Sequence, residues 1–240
     1  MINKECSLIL SDLYEYDFAA CAYNVLKNIG WDLSGVNKRN KIQRNIQIGL
    51  IQRDNPDIAQ YLQYTIDNLI DLYLRENHIK DHEIILRQKD GVVLTKPLKF
   101  TNFTMKLEFR GIISKLIFST DRRKWLKIHQ SGDVVVKGLG KELYDASFYQ
   151  LFRELNYANR SMLIQGVENI RRRILSSESI SWFMLKDDDC FLVPILDAGL
   201  IKVRKSTIKS VDCNDVDKDY LWNTYVWPFA QAILVFCTSR

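Results

Sequence analysis

The chain has 240 residues, of which 47% are hydrophobic and 26% charged, with 34 Lys and Arg against 29 Asp and Glu for a net charge of +5. This apolar share excludes a disordered chain, and only 10 glycines and 4 prolines exclude a collagen-like or Pro-rich architecture. No apolar run reaches the ~18 residues that span a bilayer, so no membrane partner is expected. Residues Met1 to Cys6 show no basic segment followed by a long apolar one, so no secretory leader is expected. Cys6, Cys21, Cys190, Cys213 and Cys237 form no C-x-x-C pair and are odd in number. They read as reduced thiols of a cytoplasmic protein. His78 and His82 are four apart, but the stretch between them reads as a turn, so no zinc site is expected.

In chain order, Ser7 to Tyr16 reads as a strand and Phe18 to Lys27 as a helix closed by Gly30. Lys38 to Gln52 reads as a second, basic helix. Pro56 and Asp57 open a third, in which Ile58, Leu62, Ile66, Leu69, Ile70 and Tyr73 recur at three and four. Ile84 to Leu86 and Val92 to Leu94 flank Asp90-Gly91, a strong hairpin signal. Strands are expected at Thr104 to Phe109, Lys115 to Ser119, Trp125 to His129 and Val134 to Lys137. Ser147 to Leu175 reads as helical, and short strands follow near Phe191 to Val193 and Leu200 to Val203. A final helix is expected from Asp217 to about Phe236. The order predicts an α+β fold, an antiparallel sheet flanked by helices.

Charge is concentrated locally. Between Leu33 and Arg53 there is no acidic residue, whereas Lys38, Arg39, Lys41, Arg44 and Arg53 are basic. Further clusters are Arg122-Arg123-Lys124 with Lys127, then Arg171-Arg172-Arg173, then Lys202, Arg204, Lys205 and Lys209. Four clusters in one chain suit a polyanionic partner such as nucleic acid, although each alone also suits a solvated face. Asp17 ends the first strand and Asp90 sits at the hairpin tip. Two carboxylates from different sheet elements can hold Mg²⁺ or Mn²⁺, the rest of the shell being phosphate and water. The alternative is that Asp17 caps a helix and Asp90 is an ordinary turn residue. Lys41, Asn45 and Gly49 recur every four residues and share a helix face, where a lysine can meet a triphosphate and a bare glycine leaves room for a base pair.

Taken in order, these residues resemble the polymerase core of family B DNA polymerases. Tyr16 to Tyr23 resembles motif A, Lys41 to Gly49 resembles motif B, and Leu86 to Gly91 falls where motif C is expected. Arg122-Arg123-Lys124-Trp125 resembles the element that grips the primer. Val136-Lys137-Gly138 resembles the V-K-G that follows it, and Asp217 to Phe236 resembles the last thumb helix. The resemblance runs from Asp17 to the C-terminus. Where the family has a tyrosine five places after the motif A aspartate, Ala22 stands here, with Tyr23 one place later. Ile46 and Ile48 replace the motif B Ser and Tyr, and Gln88 replaces the first motif C aspartate.

The resemblance implies an antiparallel palm sheet with flanking helices, a minimal fingers helix and a mostly helical C-terminal thumb. The implied layout is palm over 1–33, fingers over 34–53, palm over 54–138 and thumb over 139–240, with no room for a 3′–5′ exonuclease. It implies template-directed DNA synthesis, primer–template DNA and deoxynucleotides as partners, and a separate exonuclease or polymerase subunit. Asp17, Asp90 and the Phe18 backbone would hold the metals. Lys41 and Arg44 would meet the triphosphate, while Asn45, Gly49 and Tyr23 would lie at the base-pair pocket. Lys124, Trp125, Arg123, Lys137 and Arg172 would hold primer and duplex. So reduced a core suggests a phage or other virus, with the protein in the host cytoplasm. The alternative reading is a catalytically inactive nucleic-acid-binding accessory protein on a polymerase-derived fold.

Overall fold

Ser7 to Tyr16, expected as one strand, is two: β1 (Leu8–Ile9) and β2 (Leu13–Phe18). The polar Ser11-Asp12 pair separates them, and they serve different partners, β1 pairing with β5 and β2 with β4. The structure, a computed structural model, describes residues 7–100, 103, 105–139, 147–187 and 190–238. Cys6 and Thr104 lie outside the described residues. The described residues divide into two units, one comprising Asp12–Ile112 and the other residues 7–11 together with Ile113 onward.

In the first unit β2 leads into α1 (Cys21–Asn28), α2 (Lys41–Asp54) and α3 (Pro56–Glu76). The basic helix starts at Lys41 rather than Lys38 because asparagines hold the preceding loop open. Asn37 Oδ1 accepts from the N–H groups of Arg39 and Asn40, each at 3.1 Å. Asn40 then caps α2 by accepting from the Gln43 N–H at 3.1 Å. Pro56 opens α3 with Asp57 in its first turn. β3 (Ile84–Arg87) and β4 (Gly91–Leu94) form the expected hairpin, and β5 (Leu107–Phe118) completes the order β3-β4-β2-β5. Leu62, Ile66, Ile70 and Tyr73 of α3 bury one stripe against Phe18, Val92, Leu94 and Leu107. Each fully buried side chain of this kind contributes roughly 1.5–3 kcal/mol.

The two strands expected at Thr104 to Phe109 and Lys115 to Ser119 are one continuous strand, β5. It passes from the first unit into the second, with a register shift between Ile113 and Lys115. In the second unit β5 pairs with β1 and β6 (Trp125–His129), and β6 with β7 (Val134–Lys137), whose bounds match expectation. Ser147 to Leu175 is not one helical run. A 3₁₀ run, Ser147–Glu154, precedes α4 (Arg160–Ser176), which starts afresh because Asn159 Oδ1 caps the Met162 N–H at 2.9 Å. β8 (Leu185–Asp187), unforeseen and only three residues long, joins β9 (Cys190–Ile195) and β10 (Gly199–Arg204) in a second sheet. The final helix runs as α5 (Lys218–Leu221), a π turn at Trp222–Val226 and α6 (Trp227–Thr238). The π turn sits just before Pro228, which has no N–H to donate. The pairings β1–β5, β2–β4, β3–β4, β5–β6, β6–β7, β8–β9 and β9–β10 are all antiparallel, so the α+β expectation holds.

Candidate active site

The register of β2 against β4 pairs Asp17 with Gly91. The Phe18 N–H donates to the Asp90 carbonyl at 2.9 Å, fixing the hairpin tip beside the end of β2. A Cβ added to Gly91 would lie 2.5 Å from the Tyr16 carbonyl oxygen and 3.2 Å from Asp17 Oδ1. Glycine is therefore what lets the two strands approach closely enough for the acids to meet.

The Asp17 and Asp90 carboxyl groups are within hydrogen-bonding reach of each other. Burial, and next the charge of Asp90, push the Asp17 carboxyl up from 3.8 to about 6. Arg110 opposes this, its Nη2 lying 3.5 Å from Asp17 Oδ2 while Nη1 lies 3.0 Å from Glu108 Oε2. Glu108 and Arg110 alternate on β5 and so face the same side. Gln88 Nε2 donates to Glu15 Oε1 at 3.1 Å, so the position lacking the expected aspartate carries a neutral amide engaged with another acid.

After β2 the chain turns through Ala19 and Ala20, the latter at φ 49, and α1 begins at Cys21. A left-handed alanine costs roughly 1–2 kcal/mol, so the turn beside the carboxylates is held against a local preference. Cys21 is buried, and its thiol is pushed up to about 12 by burial first and then by Asp90 and Asp17. It is a packed thiol rather than a nucleophile.

These groups line one cavity of 630 Å³ within the first unit. Asp17, Phe18 and Tyr23 come from β2 and α1, Lys89 and Asp90 from the hairpin, and Glu108 and Arg110 from β5. Lys41, Arg44, Asn45, Ile48 and Gln52 face it from α2, as residues three and four apart on one helix must. The cavity thus holds three carboxylates and four cationic side chains. Gly49 is not among the lining residues, and a Cβ there would meet nothing within 4 Å.

The remaining predicted residues lie in the second unit. Trp125 pairs with Lys137 across β6 and β7. Lys124 and Arg123 sit in the turn before β6, where the Lys124 N–H donates to Ser119 Oγ at 3.1 Å and the Arg123 N–H to Asp121 Oδ1 at 3.0 Å. Gly138, at φ 79, lies so close that a Cβ would come within 2.4 Å of the Arg123 carbonyl oxygen. The Val-Lys-Gly segment is thereby locked to the basic turn. Arg172 lines a separate groove of 370 Å³ along α4.

Sequence reasoning missed Glu108, Arg110 and Lys89. The signal for the first two was the Glu-x-Arg alternation in a strand; the break expected after Phe109 parted Glu108 from Arg110 and hid it.

No curated protein matches the chain in sequence. Among solved structures, the family B DNA polymerase from the hyperthermophilic archaeon Pyrobaculum calidifontis is similar at a TM-score of 0.47 and 9% identity. The match covers 95% of this chain and 45% of that one, so the chain spans less than half the length of that polymerase. A family model described as Bacteriophage PBS1 gene 130 protein matches residues 1–192, and the chain belongs to that phage family.

Proposed function

We propose that the first-unit cavity is a cation and nucleoside-triphosphate site. The protein would then be a template-directed DNA polymerase core, or a subunit of one, adding deoxynucleotides to a primer 3′ end. The observation that carries this reading is the meeting of Asp17 and Asp90 in a cavity that also contains Lys41, Arg44 and Asn45.

The donor set fits Mg²⁺ or Mn²⁺. Burial and then the charge of Asp90 disfavour the ionised Asp17 carboxylate, and a cation between the two acids relieves that cost. With two carboxylates from the protein, the remaining ligands of such a cation would be substrate phosphate and water. When bound, the cation supplies activation of the primer hydroxyl and neutralisation of the leaving pyrophosphate.

The chain's own groups do the positioning. Asp17 and Asp90 hold the cationic centre. Lys41 and Arg44 neutralise the triphosphate from α2, and Asn45 and Tyr23 flank the nascent base pair. Phosphoryl transfer asks mainly for positioning and charge stabilisation, which these groups provide. In the second unit Lys124, Trp125, Arg123 and Lys137 form the primer contact, and Arg172 meets duplex phosphate.

Primer extension tests this reading. With Mg²⁺ or Mn²⁺, primed template and four deoxynucleotides, the wild type extends the primer, alone or with a partner polymerase subunit. Asp90→Asn abolishes extension and leaves DNA binding nearly unchanged, while Lys41→Ala raises the KM for the triphosphate. The neutral Gln88, engaged with Glu15, favours a second reading as an inactive DNA-binding accessory protein. Equal inertness of wild type and Asp90→Asn under every metal and partner condition, with intact DNA binding, would establish that second reading instead.

A further inference from the structure

The charged side chains lining the cavity are three acids, Asp17, Asp90 and Glu108, and four cations, Lys41, Arg44, Lys89 and Arg110. A bare divalent ion therefore meets a site that already holds more positive than negative charge. A metal–triphosphate complex, negative as a whole, suits the same site better.

Arg110 is the cation that sits on the acids. Its Nη1 lies 3.0 Å from Glu108 Oε2 and its Nη2 lies 3.5 Å from Asp17 Oδ2. The backbone that carries it is anchored. Phe109 projects from the other side of β5, its ring centroid 5.4 Å from that of Tyr16. Tyr16 in turn accepts from the Leu98 N–H at 3.0 Å, and Leu107 is fully buried. The side chains of the ion pairs are not anchored in the same way: Arg110 is 41% exposed and Asp17 and Glu108 hardly less. Ion pairs so open to solvent contribute little, so the guanidinium changes partner at small cost. Its shorter contact is to Glu108, the partner left to it when Asp17 takes up a cation.

We infer that Arg110 is a built-in counter-cation that makes metal uptake by Asp17 and Asp90 conditional on the triphosphate. The inference rests on the cation and triphosphate reading of the cavity and adds an order of events to it. In the empty site the guanidinium is paired with a carboxylate that the metal needs, and it repels a metal arriving alone. The triphosphate brings negative charge that offsets metal and guanidinium together, so binding of each favours the other. Glu108 keeps the arginine at the cavity wall once Asp17 has left it. A plain cross-strand clip would have the opposite signature, since its removal would loosen the two acids and weaken metal binding.

The test titrates Mn²⁺ into the full chain without nucleotide, with free ion followed by electron paramagnetic resonance, and repeats it with a non-hydrolysable deoxynucleoside triphosphate. It is run at about pH 8, where Asp17, pushed up to about 6, is ionised with room for the further rise that loss of Arg110 brings. Arg110→Gln should bind Mn²⁺ alone about tenfold more tightly than wild type, the effect of one unit charge on a dication a few Å away even under the screening of water. Arg110→Met, which keeps the stem, should do the same, and the tightening that nucleotide brings should shrink correspondingly in both. Arg110→Lys keeps the charge and should stay close to wild type. Adding Asp17→Asn to Arg110→Gln should abolish the gain. All the variants should keep the wild-type circular dichroism. Mn²⁺ binding to Arg110→Gln and Arg110→Met no tighter than to wild type, while wild type shows nucleotide-dependent uptake, would overturn the inference and leave the site reading standing. A gain that survives Asp17→Asn would also overturn it, as an effect of surface charge at large. No uptake by wild type or variants, with or without nucleotide, would overturn the site reading and the inference together.

Discussion

Replacing Asp17 by Asn should stabilise the protein while removing the chemistry proposed for its cavity. The folded chain raises the Asp17 carboxyl from 3.8 to about 6, through burial and then through Asp90, with the opposing contribution of Arg110 already included. At about 1.36 kcal/mol per pH unit this corresponds to an upper bound of about 3 kcal/mol. Its side chain is 38% exposed, and solvent screening reduces the figure to roughly 1–2 kcal/mol. The sign follows from linkage. A raised carboxyl pKa disfavours the charged form in the fold, so the cost is absent below about pH 3.8 and grows as pH rises, becoming full above about pH 6. Urea unfolding of wild type and Asp17→Asn should therefore show a gain of roughly 1–2 kcal/mol at about pH 7.5 and a smaller one at about pH 4.5. Saturating Mg²⁺ should narrow the difference at the higher pH, because the ion binds the folded wild type and not the variant. Asp17→Asn that destabilises at the higher pH, or a gain independent of pH, would refute the reasoning.

Gly91→Ala should lower stability by about 1–3 kcal/mol, the usual cost of overpacking, because its methyl would collide with the Tyr16 carbonyl oxygen; urea unfolding measures this, and primer extension should fail with it. Cys21, buried and with its thiol pushed up to about 12, should resist alkylation at neutral pH until the chain unfolds, as mass spectrometry of iodoacetamide-treated protein would show. Affinity for primed template should fall linearly on a log–log salt plot, with a slope of about 0.9 per phosphate contact; a flat plot would make the basic clusters solvated surface. Asp90→Asn should leave that slope unchanged, since it removes a cation ligand and not a phosphate contact.

Much of this structure is legible in the sequence because local chemistry and tertiary use agree. Asp-Gly between β-branched runs makes the β3–β4 hairpin, and the three-four periodicity of Ile66, Ile70 and Tyr73 makes α3. Disagreement arises where a local signal has more than one outcome. Ser7 to Tyr16 looks continuous, but its two halves pair with different strands, which pattern alone does not encode. The β5 strand looks broken because Arg110-Gly111 interrupts the apolar pattern and a register shift between Ile113 and Lys115 disturbs the alternation after it. The start of α2 moves to Lys41 because asparagine side chains capture the backbone before it. Within the site, Asp17, Asp90 and Lys41 stand out from position and spacing. Arg110 does not, since its importance rests on which strand lies beside β2, a long-range fact.

The most direct test is whether the Asp17–Asp90 pair takes up a cation together with a triphosphate. Titration of Mn²⁺ with a non-hydrolysable deoxynucleoside triphosphate, followed by electron paramagnetic resonance of the free ion, measures this in the full chain. Wild type should remove Mn²⁺ from solution in the presence of the nucleotide beyond what the nucleotide alone sequesters. Asp17→Asn and Asp90→Asn should each abolish that excess, and Lys41→Ala should shift it to higher nucleotide concentration. Excess uptake that persists in both aspartate variants, or no excess in the wild type under conditions where it remains folded, would contradict the assignment.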